Sequence, residues 1–119
     1  MARFVVLRHD SPRGLHWDFM LEVGPALRTW ALSRLPEPGE EVECESLPDH
    51  RPAYLDYEGP VSEGRGTVVR WDAGTFEIRS ESEVELVVEL HGWRLTGPVR
   101  LRRASDSSAG WRFCIVIGQ

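Results

Sequence analysis

Apolar residues recur along this chain in short runs and at every second position, the period of a β-strand rather than an amphipathic helix. The pattern predicts strands over 3–8 (RFVVLR), 15–23 (LHWDFMLEV), 26–33 (ALRTWALS) and 41–46. It continues with 66–71 (GTVVRW), 74–79 (GTFEIR), 84–91 (VELVVELH), 93–95, 98–103 and 111–117 (WRFCIVI). Turn residues separate them: SPRG, GP at 24–25, PEPGE at 36–40, DAG at 72–74, TGP at 96–98 and SDSSAG at 105–110. VELVVEL could form a helical turn or two, but its valines favour a strand. Many short, regularly spaced strands predict a mostly β fold with short loops and little helix, an antiparallel barrel or sandwich. Closure of such a barrel removes exposed edges.

Within 15–23, side chains two apart share a face. Leu15, Trp17, Phe19 and Leu21 make one face apolar and suited to a core. His16, Asp18 and Met20 take the other, with imidazole and carboxylate about 6–7 Å apart along the strand. A nitrogen and an oxygen so placed suit manganese, zinc or iron. His9, at the end of the preceding strand, supplies a third donor if the SPRG turn folds back. From the residues alone, HDSPRGLHWDFMLE (9–22) reads equally as a metal site or as a polar hairpin.

Two further stretches carry chemistry-bearing residues. In PDHRPAYLDYEG (48–59), His50 and Tyr54 lie four apart in a loop stiffened by Pro48 and Pro52. They are either fixed donors to an anion or leaving group, or a turn with a buried tyrosine. In EGPVSEGRGTV (58–68), backbone amides beside the glycines can approach a phosphate, but no GK[ST] follows, and a tight turn is the plainer reading. His91 has no ligand type nearby and reads as structural. Trp30, Trp71, Trp93 and Trp111 fall on strand-like segments and read as core rather than as base-stacking platforms.

Length and charge narrow the partners. The 119 residues suit one domain, 1–119, and a monomer. A net charge of −5 argues against sequence-blind coating of nucleic acid, but not against a local basic site for a nucleic-acid end. All 14 basic residues are arginine, which weakens any single arginine as a signal. The acids concentrate in 37–45 and 81–89, leaving 1–34 locally basic. Cys44 and Cys114 form no CxxC motif and read as reduced, buried thiols. No apolar run approaches the roughly 18 residues of a membrane span. MARFVVLRHD is too short in apolar residues for a secretory signal, so a cytoplasmic location is expected.

Taken together, RFVVLRHDSPRGLHWDFMLE, TWALSRLPEP, DHRPAYLDYEGPVSEGRGTVVRWDAGTF and LHGWRLTGPVRL resemble the 3′-phosphoesterase domain of bacterial DNA ligase D. The resemblance runs in register from Arg3 to about Arg103 and rests on several linked motifs. It implies a compact antiparallel β-barrel with a concave polar face, and manganese, or another divalent transition metal, held by His9, His16 and Asp18. The implied activity is removal of 3′-terminal ribonucleotides or 3′-phosphates from primer-template ends in repair, beside a separately encoded ligase or polymerase. The family's histidine and tyrosine fall on His50 and Tyr54, and its lysine in SWAVPK falls on Arg34, which keeps the charge but changes donor geometry.

Departures from the family pattern bear on activity. Its arginine two residues past the aspartate is Met20 here; loss of a fork on the scissile phosphate removes about 2–5 kcal/mol of charge-paired binding. Arg8, Arg13, Arg51 or Arg65 could supply the charge from elsewhere. A basic position before DHP corresponds to the acidic EEVECE, with Val42 nearest in register. The turn before His16 is one residue longer, the YGAG loop is shortened to GRG, and the family's upstream segment has no counterpart. The alternative is therefore a catalytically degenerate module that binds metal or a nucleic-acid end without cutting it.

Overall fold

The computed structural model describes residues 2–104 and 109–116. Nine antiparallel strands follow one another: β1 (Arg3–Ser11), β2 (Gly14–Val23), β3 (Ala26–Leu32), β4 (Glu41–His50), β5 (Gly59–Pro60), β6 (Thr67–Glu81), β7 (Glu85–Gly92), β8 (Thr96–Arg103) and β9 (Gly110–Ile115). The hydrogen-bonded order is β1-β2-β3-β4-β9-β8-β7-β6-β5, and a β1–β6 pairing joins the two sides into an eight-strand ring. The only helical element among the described residues is a 3₁₀ turn at Pro52–Leu55. The expected mostly β, antiparallel barrel is therefore what the chain forms. Among the described residues no helix is long and apolar enough to cross a membrane.

The ring interior is the larger of two cores. Phe19 sits at its centre, with ring centroids 5.1 Å from Phe113, 6.1 Å from Phe4 and 6.2 Å from Trp30. Tilted and edge-on aromatic pairs of this kind each add about 0.5–1.5 kcal/mol beyond their buried area. The smaller core lies on the opposite face of β1 and β2, where Val5, Leu7 and Met20 meet Leu27, Val68 and Leu55. Leu55 comes from the 3₁₀ turn, so the segment after β4 folds back as a lid over the outside of the ring. Cys44 and Cys114 are free and buried, as expected.

Several sequence expectations need correction. Segments 66–71 and 74–79 are one strand, β6; DAG between them is paired strand, and the bulge falls at Trp71 just before it, with Val6 facing Asp72 and Leu7 facing Arg70. Asp72 points inward and is fully buried. Its Oδ1 accepts the amides of Ala73, Trp93 and Arg94 at 2.8, 2.7 and 3.0 Å, and Oδ2 accepts Leu95 at 2.8 Å. Residues 93–95 are thus a turn held by a carboxylate, not a strand, and TGP at 96–98 opens β8. Strand β4 runs on to His50. Leu15 is exposed beside the β1–β2 turn, and Trp93 is 69% exposed rather than core. Residues 105–108 of the SDSSAG turn and Ile117 lie outside the described residues.

Removing the charge that gathers four amides should weaken the whole ring, because Asp72 joins β1, β6 and the β7–β8 turn. Asp72→Asn is expected to lower unfolding free energy by about 2 kcal/mol or more, read as a lower denaturant midpoint. Burial pushes the Cys44 thiol from its ordinary 9.0 up to about 12. A raised folded pKa means that stability is full below the unfolded thiol's pKa and is lost as pH rises from there through the folded value. Cys44 in native protein at about pH 8 should therefore resist a thiol reagent that titrates it in denaturant.

Candidate functional site

The metal-site residues predicted from sequence lie on the outer face of the β1–β2 hairpin. Antiparallel pairing sets His9 opposite His16 and Leu7 opposite Asp18. Opposed residues share a face, so His9, His16 and Asp18 emerge together despite the longer turn. The imidazole rings lie 4.6 Å apart, and one donor atom from each of the three residues falls within 4.8 Å of the others.

Hydrogen bonds fix which atoms are on offer. His9 Nε2 lies 2.7 Å from the Arg65 carbonyl oxygen, which can only accept, so the ring proton sits on Nε2. Nδ1 then turns its lone pair toward Asp18 Oδ2 at 3.1 Å. Two electron-rich atoms so close call for a cation between them, either a proton or a metal. His16 Nε2 stands 3.1 Å from Asp18 Oδ1. That ring is not aligned on the oxygen, and Oδ1, though buried, has no hydrogen bond among the described residues. Asp18 alongside raises the His16 pKa above its ordinary value, opposed by partial burial and weakly by Arg13. The set of two nitrogens and one carboxylate, with an oriented His9 and an orphaned buried oxygen, fits a divalent metal.

The cleft in front of the cluster encloses ≈ 920 Å³ and is lined by Arg13, His50 and Arg65 as well as the three donors. An adjoining cavity of ≈ 390 Å³ shares His9, Asp18, His50 and Arg65 and adds Met20, Arg51 and Tyr54. Strand β4 thus delivers His50, and the 3₁₀ turn delivers Tyr54, to the metal-side face. Their rings meet edge-on at 5.7 Å. His50 Nδ1 donates to the Pro48 carbonyl at 2.9 Å. Its neutral ring therefore shows the cleft an accepting Nε2, and only the doubly protonated ring donates there. Arg65 anchors its guanidinium on the Ser62 carbonyl and Oγ, each at 2.9 Å.

Arg34 is not brought to the cleft. It is exposed beyond β3 and donates to Glu40 at 2.8 Å. That hydrogen bond, with one from the Glu37 amide, holds the Glu40 carboxyl down to about 2. Arg8 is exposed and lines neither cavity. Met20 is buried at the cavity floor, so no charge replaces the family's arginine from that position. Val42 points into the ring, while Glu43 and Glu45 line the cleft wall. Alternation in EVECE could have revealed these two glutamates as a pair. No residue-type signal could have revealed the Arg65 carbonyl, because it is a backbone group.

The 58–68 loop is a tight turn whose role is to place that carbonyl. Val61 N–H bonds to the Gly66 carbonyl at 2.7 Å, and Glu63, Gly64 and Gly66 have φ of 62°, 68° and 94°. A Cβ on Gly66 would lie 1.8 Å from the Asp10 carbonyl oxygen. His91 is exposed, 3.8 Å from Glu77, and takes no part.

A closed antiparallel ring carrying a two-histidine, one-aspartate cluster in an arginine-lined outer cleft defines a narrow class of domain. The chain belongs to the DNA ligase D 3′-phosphoesterase domain family, whose model it matches over residues 7–103. It is 35% identical over 81 residues to the multifunctional non-homologous end joining protein LigD of Pseudomonas aeruginosa, covering 64% of this chain and 10% of that protein. It is 31% identical over 111 residues to the multifunctional non-homologous end joining DNA repair protein LigD of Mycobacterium tuberculosis, covering 86% of this chain and 14% of that one. The chain thus spans a small part of the length of these relatives.

Because the Arg65 carbonyl dictates the His9 tautomer, long-range ¹H–¹⁵N spectra of metal-free protein at neutral pH should show His9 protonated on Nε2. Gly66→Ala, which must displace the loop, should change that pattern and weaken the binding of a divalent metal titrated into the cluster about 10- to 100-fold, the range for lost outer-shell support. An unaltered His9 spectrum in Gly66→Ala would disprove the link.

Proposed function

We propose that this protein is a manganese-dependent 3′-end phosphoesterase that removes a 3′-phosphate or 3′-terminal ribonucleotide from a primer end in DNA repair. The convergence of His9 Nδ1, His16 Nε2 and Asp18 on one cleft carries the reading. Family membership supports an end-processing role. Bound by these three donors, manganese would polarise a phosphate oxygen and acidify a water. Asp18 supplies the negative charge that favours a cation, and the Arg65 carbonyl keeps His9 turned to offer Nδ1. Arg13, Arg51 and Arg65 place positive charge along the cleft and hold the anionic strand. Glu43 and Glu45 repel phosphate from the opposite wall, which sets the strand's side. A doubly protonated His50 donates to the phosphate or leaving oxygen, and Tyr54 packs edge-on against it to hold its plane. The product, a 3′-hydroxyl, is the end that a ligase or polymerase requires, so such an enzyme is the expected partner. In this reading the protein works as a monomer in the cytoplasm.

Met20 favours a second reading. With an apolar thioether under Asp18, the domain would bind metal and a 3′ end without cutting it.

A primer-template bearing a 3′-phosphate or 3′-ribonucleotide, incubated with manganese, separates the two. The enzymatic reading expects turnover that EDTA abolishes, that His16→Ala reduces to background, and that His50→Ala lowers about 10²- to 10⁴-fold. Manganese-dependent binding without product would establish the binding module instead. Turnover unchanged in His16→Ala would remove the metal site from both.

A further inference from the structure

The most exposed large apolar side chain among the described residues is Trp93, at 69%. An indole left in water is ordinary when it sits on a loose loop. This one does not: the Asp72 carboxylate binds the amides of Trp93, Arg94 and Leu95 at 2.7–3.0 Å, so a buried group of the ring fixes the turn that presents it. Arg70 stacks over the Trp93 ring with its guanidinium carbon 5.9 Å from the centroid, and Arg94 stacks over Trp71 at 4.8 Å. Among the described residues Arg70 forms no ion pair. Asp56, which feels its charge, is already paired with Arg3 at 2.7 Å. A rigid, exposed aromatic ring carrying one guanidinium, that of Arg70, has the composition of a base-stacking platform, which needs a π surface and charge for the adjoining phosphates.

Its place relative to the cleft is set by register. Arg70 pairs with Leu7, which pairs with Asp18, so their backbones are two interstrand steps, about 10 Å, apart. Leu7 between them is covered by the Leu55 turn, so a strand whose 3′ end lies at Asp18 would reach Arg70 and Trp93 over the outside of that turn.

We infer that Trp93, with Arg70 on its ring, is a stacking platform for a base of the nucleic-acid strand whose 3′ end enters the cleft. The platform itself rests on the exposed ring, its fixed turn and Arg70. The identity of the occupant rests on the function proposed above.

The test is fluorescence anisotropy of the full chain with a labelled primer-template ending in a 3′-hydroxyl, the product end, which is not consumed. Trp93→Ala should weaken binding about tenfold, and Trp93→Phe, which keeps a ring, should stay within about threefold of wild type. Unfolding midpoints show that both variants are folded. Unchanged affinity in folded Trp93→Ala overturns the platform and leaves the exposed ring to a protein partner. The two proposals fail separately. Trp93-dependent binding by a wild type that never cleaves a 3′-phosphate overturns only the enzyme. Cleavage by wild type, with Trp93→Ala binding as tightly, overturns only the platform.

Discussion

A strand has two faces, and in the β1–β2 hairpin both are buried. Phe4, Val6, Phe19 and Leu21 fill the ring, while Val5, Leu7 and Met20 lie under a lid made by Leu55 and its 3₁₀ turn. This double burial constrains the site, because the polar row His9–His16–Asp18 begins where the outer apolar cover ends. Asp18 is 3% exposed, next to Met20 along the strand and to Leu7 across it. A carboxylate in that setting has little water to solvate it and depends on the two imidazoles and on whatever cation they share. The small core therefore does more than add buried area. It lowers the local dielectric at one edge of an open cleft, which strengthens every charge interaction there.

Asp72 is the corresponding constraint on the far side of β1. One extra residue in β6 lets the strand turn a carboxylate inward, where it collects four amides that would otherwise lack partners. Gly92 makes room for it, since a Cβ there would lie 2.6 Å from Asp72 Oδ2. The same group that permits ring closure at β1–β6 thus sets the β7–β8 turn. Cleft and Trp93 turn hang from the two sides of a single strand, β1, and share its rigidity.

Much of this was legible in the sequence, and what was not has identifiable causes. Alternation placed most strands, and the two-residue spacing of His16 and Asp18 put them on one face with Met20. It could not show that this face is also apolar for half its length, because the covering residue, Leu55, comes from a distant loop. DAG resembles a turn by composition, yet the side chain of Asp72 has inward partners, and DAG runs on as paired strand behind a bulge at Trp71. Trp93 looked like core because tryptophan usually is; only the amide-binding carboxylate 21 residues earlier turns it outward. Leu15 failed for a simpler reason, lying next to the hairpin turn where strand alternation has nothing to pack against. Arg34 shows the limit of register: the loop beyond β3 gives it Glu40, a local partner 2.8 Å away, rather than the cleft.

Met20 links the apolar floor to the chemistry. A guanidinium at that position would be desolvated among Val5, Leu7, Leu27 and Val68, with Asp18 its nearest carboxylate along the strand. Asp18 is already held between His9 and His16, each within 3.1 Å. A buried cation without a full set of partners costs several kcal/mol, so the thioether is the stable choice for this floor. In the proposed reaction, the charge facing the phosphate then has to come from the rim, from Arg13, Arg51 and Arg65, all of them exposed. Rim charges are screened by salt and hold their partners loosely compared with a buried fork. In that proposed reaction the exchange would move substrate binding from a desolvated contact to a diffuse, salt-sensitive field around the cleft. In the same proposal, a stacking surface such as the Trp93 ring would carry a larger share of the affinity.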